Sequence, residues 1–168
     1  MKKTISLLLS LLLIATVFTA LPLTASAATA DSAAGDRPLP ELPHGDFGAC
    51  SWLFNPANGK LTVSGTGATG DFNNAAKPWA DYTDDITQVV IMNGITSLGR
   101  QLFAETPHLQ TVSMAPSVTA INREAFLRCT ELTSVTLTES VTGIGIGAFM
   151  STGLTSITIP NPSCTLDA

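Results

Sequence analysis

The sequence predicts a repeat protein: a right-handed solenoid of short parallel β-strands joined by short helical or irregular turns, with a small β-rich module before it. Two observations lead to this prediction: apolar residues recur with a 23-residue period from Ile86 onwards, and alternating apolar residues follow an Asn58-Gly59 turn. A third observation concerns export, since the N-terminus has the order of a secretory signal.

The N-terminal segment has the parts of a signal peptide. Two lysines precede an apolar run over residues 5–21, and the small triplet Ala25-Ser26-Ala27 follows. This order predicts that residues 1–27 are a signal peptide that is cleaved after Ala27. The run is shorter than the roughly 20 apolar residues that a membrane span needs. We therefore expect a secreted or cell-surface protein with no membrane insertion after cleavage.

Residues 28–45 are predicted to be a disordered linker. They combine Ala, Asp and three Pro with almost no large apolar side chain, so they cannot bury enough surface to become ordered. Without residues 1–27 the net charge is −7, from six basic and 13 acidic side chains. Because no basic cluster remains, we expect no nucleic-acid partner.

Residues 46–85 are predicted to form a small β-rich module. Trp52, Leu53 and Phe54 lead to the Asn58-Gly59 turn, and alternating residues 61–64 follow it. Asn-Gly readily adopts the positive φ angles of a tight turn, so the segment predicts a hairpin. Aromatic residues are concentrated here and the repeats begin directly afterwards. We therefore expect the module to cover the first open end of the solenoid as an N-terminal cap.

Residues 86–168 are predicted to form about three and a half repeat coils. A single unit of this size cannot bury its own apolar side chains, but coils stacked about 4.8 Å apart through strand pairing form a continuous core. The 23-residue period holds throughout, except for a last step that is shorter by one. The apolar columns are Ile86, Leu109, Leu132 and Leu154; Val89, Val112, Val135 and Ile157; Ile91, Met114, Leu137 and Ile159; Ile95, Val118 and Val141; Leu98, Ile121 and Ile144; Leu102, Ala125 and Ala148; Phe103, Phe126 and Phe149.

Four segments carry a family resemblance: ITQVVIMNGITSLGRQLF, LQTVSMAPSVTAINREAFLRC, LTSVTLTESVTGIGIGAFMSTG and LTSITIP. They resemble the BspA-like leucine-rich repeats of bacterial surface and secreted proteins, and the module with Trp52 and Pro78-Trp79 resembles the segment that often precedes such repeats. The resemblance implies a leucine-rich-repeat solenoid and a non-enzymatic protein that binds other proteins. Adhesion to host matrix or to other cells is described for some members of the family, and the resemblance does not fix a ligand.

The resemblance has two departures and leaves a second function open. Residues 114–116 and 137–139 lack the usual Ile-Pro step, and Asn122 replaces a Gly. The chain stops within a new coil without a polar cap, so we expect a fragment of a longer protein and self-association through the uncapped C-terminal coil. The alternative function is a structural spacer in a larger exported enzyme or wall-associated protein whose functional domain lies beyond residue 168.

The candidate interaction surface consists of residues between the apolar columns of the first strand of each coil, which are expected to face outward. Thr in these positions has two interpretations. It suits an exposed strand because its branched side chain fits the pleat, and a flat ladder of hydroxyls also suits contact with an extracellular protein or cell-surface ligand. The candidate residues are Gln110, Thr111, Ser113, Thr133, Ser134, Thr136, Thr155, Ser156 and Thr158.

The sequence predicts no catalytic, cofactor or metal site. Residues 65–70 match a dinucleotide fingerprint, but the segment after them has no helical face and soon reaches Pro78. His44 and His108 are far apart, and the acidic residues between 71 and 85 are expected to be solvated.

The three cysteines permit at most one internal disulfide, and the sequence does not fix its pairing. Cys129 and Cys164 are interpreted as small core residues, and Cys50 is left open.

Overall fold

The computed structural model describes residues 41–72 and 77–167. The predicted signal peptide and residues 28–40 of the predicted linker lie outside the described residues. The described elements follow one another along the chain as β1 (His44–Phe47), β2 (Cys50–Asn55), β3 (Lys60–Gly65), β4 (Gly67–Ala68), a short 3-10 helix (Ala80–Tyr82), β5 (Gln88–Ile91), β6 (Ile95–Leu98), β7 (Thr111–Met114), β8 (Ala120–Ile121), β9 (Ser134–Thr136), β10 (Gly143–Ile144) and β11 (Thr165–Leu166).

These strands form two sheets. The first sheet has the order β1-β2-β3-β5-β7-β9, and the second has the order β11-β10-β8-β6-β4. Strands β3, β5, β7 and β9 are parallel neighbours, as are β4, β6, β8, β10 and β11. Each coil up to β10 therefore contributes one strand to each sheet, and the last coil contributes β11 to the second sheet. The predicted solenoid of short parallel strands is confirmed.

The predicted hairpin is formed by β2 and β3, which pair antiparallel from Cys50 opposite Gly65 to Asn55 opposite Lys60. Two details differ from the prediction. The connection has four residues, 56–59, instead of a tight two-residue turn. The N–H of Asn58 donates to the carbonyl of Asn55 at 3.3 Å, and of Asn58 and Gly59 only Gly59 has a positive φ, 63°. In addition, β1 begins at His44, so the last two residues assigned to the linker pair with β2.

The hairpin continues directly into the solenoid. Its second strand lies parallel to β5, with Lys60 opposite Gln88, and β4 lies parallel to β6, with Gly67 opposite Ile95. In both pairs the partner's number is higher by 28 (60 to 88 and 67 to 95), compared with 23 between β5 and β7 (88 to 111). Residues 60–87 are therefore a longer and less regular first coil. Fingerprint glycines 65, 67 and 70 have positive φ angles in this coil, a conformation that glycine adopts without steric cost.

Backbone hydrogen bonds also join the turns of successive coils. The N–H groups of Gln101, Phe103 and Glu105 donate to the carbonyls of the next coil at 3.2, 2.8 and 2.7 Å. The N–H groups of Glu124, Phe126 and Arg128 repeat this pattern one coil later. In the first coil, the Lys77 ammonium donates to the Ala104 carbonyl. Adjacent coils are thus joined along the turn as well as through both sheets.

The core follows the predicted columns. Every column member from Ile86 to Ala148 is buried except Val135, which is partly buried. The predicted Phe column stacks ring on ring, with centroids 5.4 Å apart for Phe103–Phe126 and for Phe126–Phe149. Trp79 stacks on Phe103 at 5.6 Å and adds a member that the regular period does not predict. Phe47 and Trp52 pack edge-on against Trp79.

The last coil departs from the prediction. Leu154, Ile157 and Ile159 carry the strand pattern, yet residues 154–159 form no strand and these three side chains are only partly buried. The step from Phe149 to Leu154 is one residue shorter than the step from Phe126 to Leu132, and the segment after it does not pair with β9. Pairing with the preceding coil resumes at Thr165, whose N–H donates to the Thr142 carbonyl at 2.8 Å.

The three cysteines are free thiols. Cys129 is fully buried and its Sγ lies 3.1 Å from the Phe103 carbonyl, which confirms that it is a core residue. Burial raises the pKa of the Cys129 thiol to about 11. Cys50 is also buried, whereas Cys164 packs against the core but stays partly exposed.

Candidate functional site

The candidate site is the solvent-facing side of the first sheet, which we call the outer sheet face. Along each strand, buried residues alternate with residues that point to solvent. Strand pairing aligns the outward residues in two rows. One row is His44, Leu53, Thr62, Val90, Ser113 and Thr136; the other is Asn55, Lys60, Gln88, Thr111 and Ser134.

Four of the predicted site residues come together in these rows. Thr111 lies opposite Ser134, and Ser113 lies opposite Thr136, on the neighbouring strands β7 and β9. All four side chains are exposed. Because neighbouring strands are about 4.8 Å apart, the four hydroxyls form one compact polar patch.

Gln110 and Thr133 lie at the edge of the outer sheet face, one position before their strands, and both are exposed. The Gln110 amide donates to Glu131 Oε2 at 3.4 Å, while His108 Nδ1 lies 2.9 Å from Glu131 Oε1. The hydrogen bonds from His108 and then from Gln110 lower the pKa of the Glu131 carboxyl. The Gln110 side chain is therefore held at the edge by a neighbouring coil.

The structure does not bring the remaining three site residues into the same array. Thr155, Ser156 and Thr158 are exposed, but they belong to the last coil, where no strand pairs with β9 on that side among the described residues. The prediction of a continuous ladder that includes these three residues is wrong. The ladder requires a strand paired with β9, and the last coil, which follows a step shorter by one residue, does not form one.

The outer sheet face also carries apolar side chains outside the predicted site. Leu53 and Met92 are 42% and 45% exposed, and Val90 is partly exposed between the hydroxyl residues. The alternation around Trp52 and Phe54 was the sequence signal for Leu53, because a residue between two buried neighbours in a strand must face outward. No feature of the sequence signalled directly that the hairpin would share a face with β5.

A second hydroxyl ladder lies on the second sheet and was also missed. Thr96, Thr119, Thr142 and Thr165 are exposed and occupy equivalent positions in four coils. The hydroxyls of Thr119, Thr142 and Thr165 each donate to the carbonyl of the preceding threonine in the series, at 3.0, 3.1 and 3.2 Å. The regular spacing of these threonines was a usable signal. Since each hydroxyl bonds to the adjacent coil, this ladder stabilises the stacking.

A charged cluster at one corner of the solenoid has a similar structural role. Glu124 accepts hydrogen bonds from Gln101 Nε2 at 2.6 Å and from Arg123 Nε at 2.9 Å, and it lies 3.8 Å from Arg100. The Arg123 and Gln101 hydrogen bonds lower the pKa of the Glu124 carboxyl. Gln101 and Arg100 come from the preceding coil, so the carboxylate joins two coils.

Neither a cluster of metal ligands nor a membrane-spanning helix is found among the described residues. Within residues 41–72 and 77–167 there is no group of three His, Cys, Asp or Glu side chains that could hold a metal ion. The acidic residues Asp81, Asp84 and Asp85 lie on the surface of the first coil. In the same ranges, no helix has both the length and the apolar character needed to span a bilayer.

Comparisons with known proteins agree on the repeats. A family model described as a BspA-type leucine-rich repeat region, in six copies, matches residues 81–167. A solved leucine-rich repeat protein from Eubacterium ventriosum is 25% identical, with a TM-score of 0.61, and the match covers 74% of this chain and 39% of that one. No curated protein matches the chain.

Two further solved structures show likeness of fold. A leucine-rich repeat protein from T. pallidum is 12% identical, with a TM-score of 0.52 and coverage of 69% of this chain and 60% of that one. One from Bacteroides ovatus is 18% identical, with a TM-score of 0.50 and coverage of 73% and 37%. This chain therefore spans less than two thirds of the length of each of the three solved proteins.

Proposed function

The chain belongs to the BspA-type leucine-rich repeat family, and on that premise we propose that it is a secreted or cell-surface module that binds an extracellular protein through its outer sheet face. Leucine-rich repeat solenoids in general present extended surfaces that bind other proteins. The proposal places the protein outside the cell because its sequence begins like a signal peptide. Adhesion to host matrix or to other cells is the finer form of the same proposal.

One observation carries this proposal: the outer sheet face is uncharged along β5, β7 and β9 although the protein is acidic. The outward residues of these three strands are hydroxyl, amide and aliphatic side chains, and the ionisable groups His44, Asp46 and Lys60 lie on β1 and β3. The whole sequence has a net charge of −5. Depletion of charge is the compositional feature of the centre of protein interfaces, because charges are costly to desolvate there.

The experiment is binding of the purified protein to immobilised extracellular-matrix proteins and to whole bacterial and epithelial cells. Ser113→Glu places a charge in the middle of the outer sheet face, and Thr119→Glu places the same charge on the second sheet as a matched control. We expect saturable binding that Ser113→Glu removes and Thr119→Glu retains. The unfolding control Phe126→Ala should also lose binding. Equal binding by both charge variants would contradict the proposal.

A second candidate is a structural spacer within a larger exported enzyme or wall-associated protein. The observation that favours it is the coverage of the Eubacterium ventriosum protein, of which this chain spans 39%. In this case the repeats set a distance and the chemistry belongs to another part of the protein. Absence of binding to every matrix protein and cell type, with the protein folded, would favour the spacer.

A further inference from the structure

We propose that the outer sheet face binds its partner through an apolar island formed by Leu53, Val90 and Met92, and that the partner is a protein segment with uncharged aliphatic side chains. This inference rests on the proposed function and names the class of partner. It assigns the centre of binding to the hairpin end of the face, whereas the sequence had indicated the hydroxyl residues of β7 and β9.

Strand pairing brings the three side chains together. Leu53 lies opposite Thr62, and Thr62 lies opposite Val90. Leu53 and Val90 are therefore two strands apart, about 10 Å, with the Thr62 methyl between them. Met92 follows Val90 by two residues, and its N–H continues the pairing by donating to the Val63 carbonyl at 2.8 Å. The strand alternation thus places Met92 on the same side as Val90.

The fold does not need these side chains for its own core. On the same strands, Trp52, Phe54, Val89 and Ile91 point inward and are buried. Leu53 and Met92 keep 42% and 45% of their surface exposed. A single exposed apolar residue is ordinary, but neighbouring ones on a flat strand surface indicate an interaction site.

The surroundings of the island match the pattern of an interface hot spot. Ser51 and Ser64 pair on one side of it, and Ser113 lies opposite Val90 on the other. Hot spots are large apolar side chains ringed by polar groups that keep water away once the partner is bound. Met also adapts its shape to different partners because it is unbranched and flexible.

Charge and shape favour a protein over a glycan as the partner. Thr62 and Ser113, which pair with Leu53 and Val90, carry no charge, and His44 opposite Leu53 is the one ionisable side chain paired with the island. A charged partner would therefore lose its hydration with little counter-charge in return. A sugar ring is usually held by a flat aromatic surface, and the aromatic residues of this region, Trp52, Phe54 and Trp79, are buried. Aliphatic side chains of a protein segment fit the exposed Leu53 and Met92 directly.

The test is selection of binding peptides from a random phage-displayed library, followed by titration of the selected peptides. A Leu53→Gln/Met92→Gln variant removes the island. The matched control is Leu166→Gln/Met150→Gln, which makes the same chemical changes at residues that are 62% and 54% exposed elsewhere. We expect selected peptides that are rich in aliphatic residues and poor in charge. They should bind the island variant at least about tenfold more weakly and the control variant unchanged.

Three results would overturn the inference, and they separate it from the proposed function. Peptides that are predominantly charged, or that bind the island variant as tightly as the native protein, would contradict the island while leaving the face as a binding surface. Binding to an immobilised glycan array that survives the island substitutions but is lost in Ser113→Glu would identify a glycan partner instead. Failure of the folded protein to select any peptide or bind any glycan would contradict both proposals.

Discussion

The first and the last coils of the described solenoid both have the apolar pattern of the repeats, but they differ in strand pairing and in burial of their aromatic rings. At the first end, the hairpin pairs with β5, and Trp79 stacks on Phe103 and is fully buried. At the last coil, Phe149 stacks on Phe126 but remains partly exposed. The segment that follows, residues 154–159, does not pair with β9 although it has the apolar pattern of a strand.

Among the described residues, the coils that are stacked between two others are therefore the more completely ordered ones. Phe126 has an aromatic ring on each face, whereas the described residues stack a ring on one face of Phe149 only. In repeat proteins, stability is approximately the sum of unit and interface terms, so a coil with one interface is less stable than a coil with two.

The largest expected effect is loss of an aromatic ring from the covered part of the column. We expect Phe126→Ala and Trp79→Ala each to lower the free energy of unfolding by about 3–5 kcal/mol, the usual cost of truncating a buried aromatic residue. Phe149→Ala should cost only about 1–2 kcal/mol because its ring is already partly exposed. Urea unfolding followed by circular dichroism measures all three. An equal loss for Phe149→Ala and Phe126→Ala would contradict the expected difference between the last coil and the covered coils.

Much of this architecture could be predicted because residues one repeat period apart occupy equivalent positions in successive coils. Val89, Val112 and the Phe column could be assigned to the core without a structure, since repeated units must bury equivalent residues. Trp79 could not, because its position is out of step with Phe103 and it belongs to the longer first coil, whose strand β3 pairs with β5 at a different offset. A column search at one period does not detect a unit of another length.

The candidate site was predictable in part for the same reason. Thr111, Ser113, Ser134 and Thr136 follow from strand alternation within regular coils. Leu53 was missed because the hairpin joins the face through tertiary pairing, and Met92 because it lies one residue beyond β5. Thr155, Ser156 and Thr158 were wrongly included because the pattern alone does not reveal whether a strand pairs with its neighbour.

Cys129 lies in a covered coil and Cys164 in the last one, so their thiols should respond differently to alkaline pH. Burial raises the folded-state pKa of Cys129 to about 11 from an ordinary value of 9.0. The folded protein therefore holds this proton more tightly than the unfolded chain. The stabilisation that the buried Cys129 thiol provides is fully present below pH 9. It is lost as the pH rises through 11, which lowers the free energy of unfolding by about 2–3 kcal/mol.

The measurement is the free energy of unfolding between pH 8 and about pH 11 for the native protein, Cys129→Ala and Cys164→Ala. We expect the free energy of unfolding of Cys129→Ala to fall much less at alkaline pH than that of the native protein. Cys164→Ala should keep it, because that thiol is partly exposed in the last coil. An alkaline decrease that is the same in all three proteins would contradict the assignment to Cys129.

A smaller effect is expected from the threonine ladder of the second sheet. Thr119→Val removes a hydroxyl that donates to the Thr96 carbonyl at 3.0 Å and should cost about 0.5–1.5 kcal/mol. Thr165→Val removes the equivalent bond of the last coil, at 3.2 Å, and should cost only a few tenths of a kcal/mol, because a less stable coil contributes less. Thermal unfolding of the two variants measures the difference. A larger loss for Thr165→Val would reverse the expected order.

Amide hydrogen exchange of the native protein, read by mass spectrometry of overlapping peptides, tests whether neighbouring coils determine which repeats are ordered. Exchange is suited to this test because it reports local opening along the chain. We predict that β5 and β7 exchange only through global unfolding, whereas residues 154–159 exchange fastest among the repeat residues. Equal protection of residues 154–159 and β7 would show that this sequence orders a coil without a neighbour on each side, and would contradict the account.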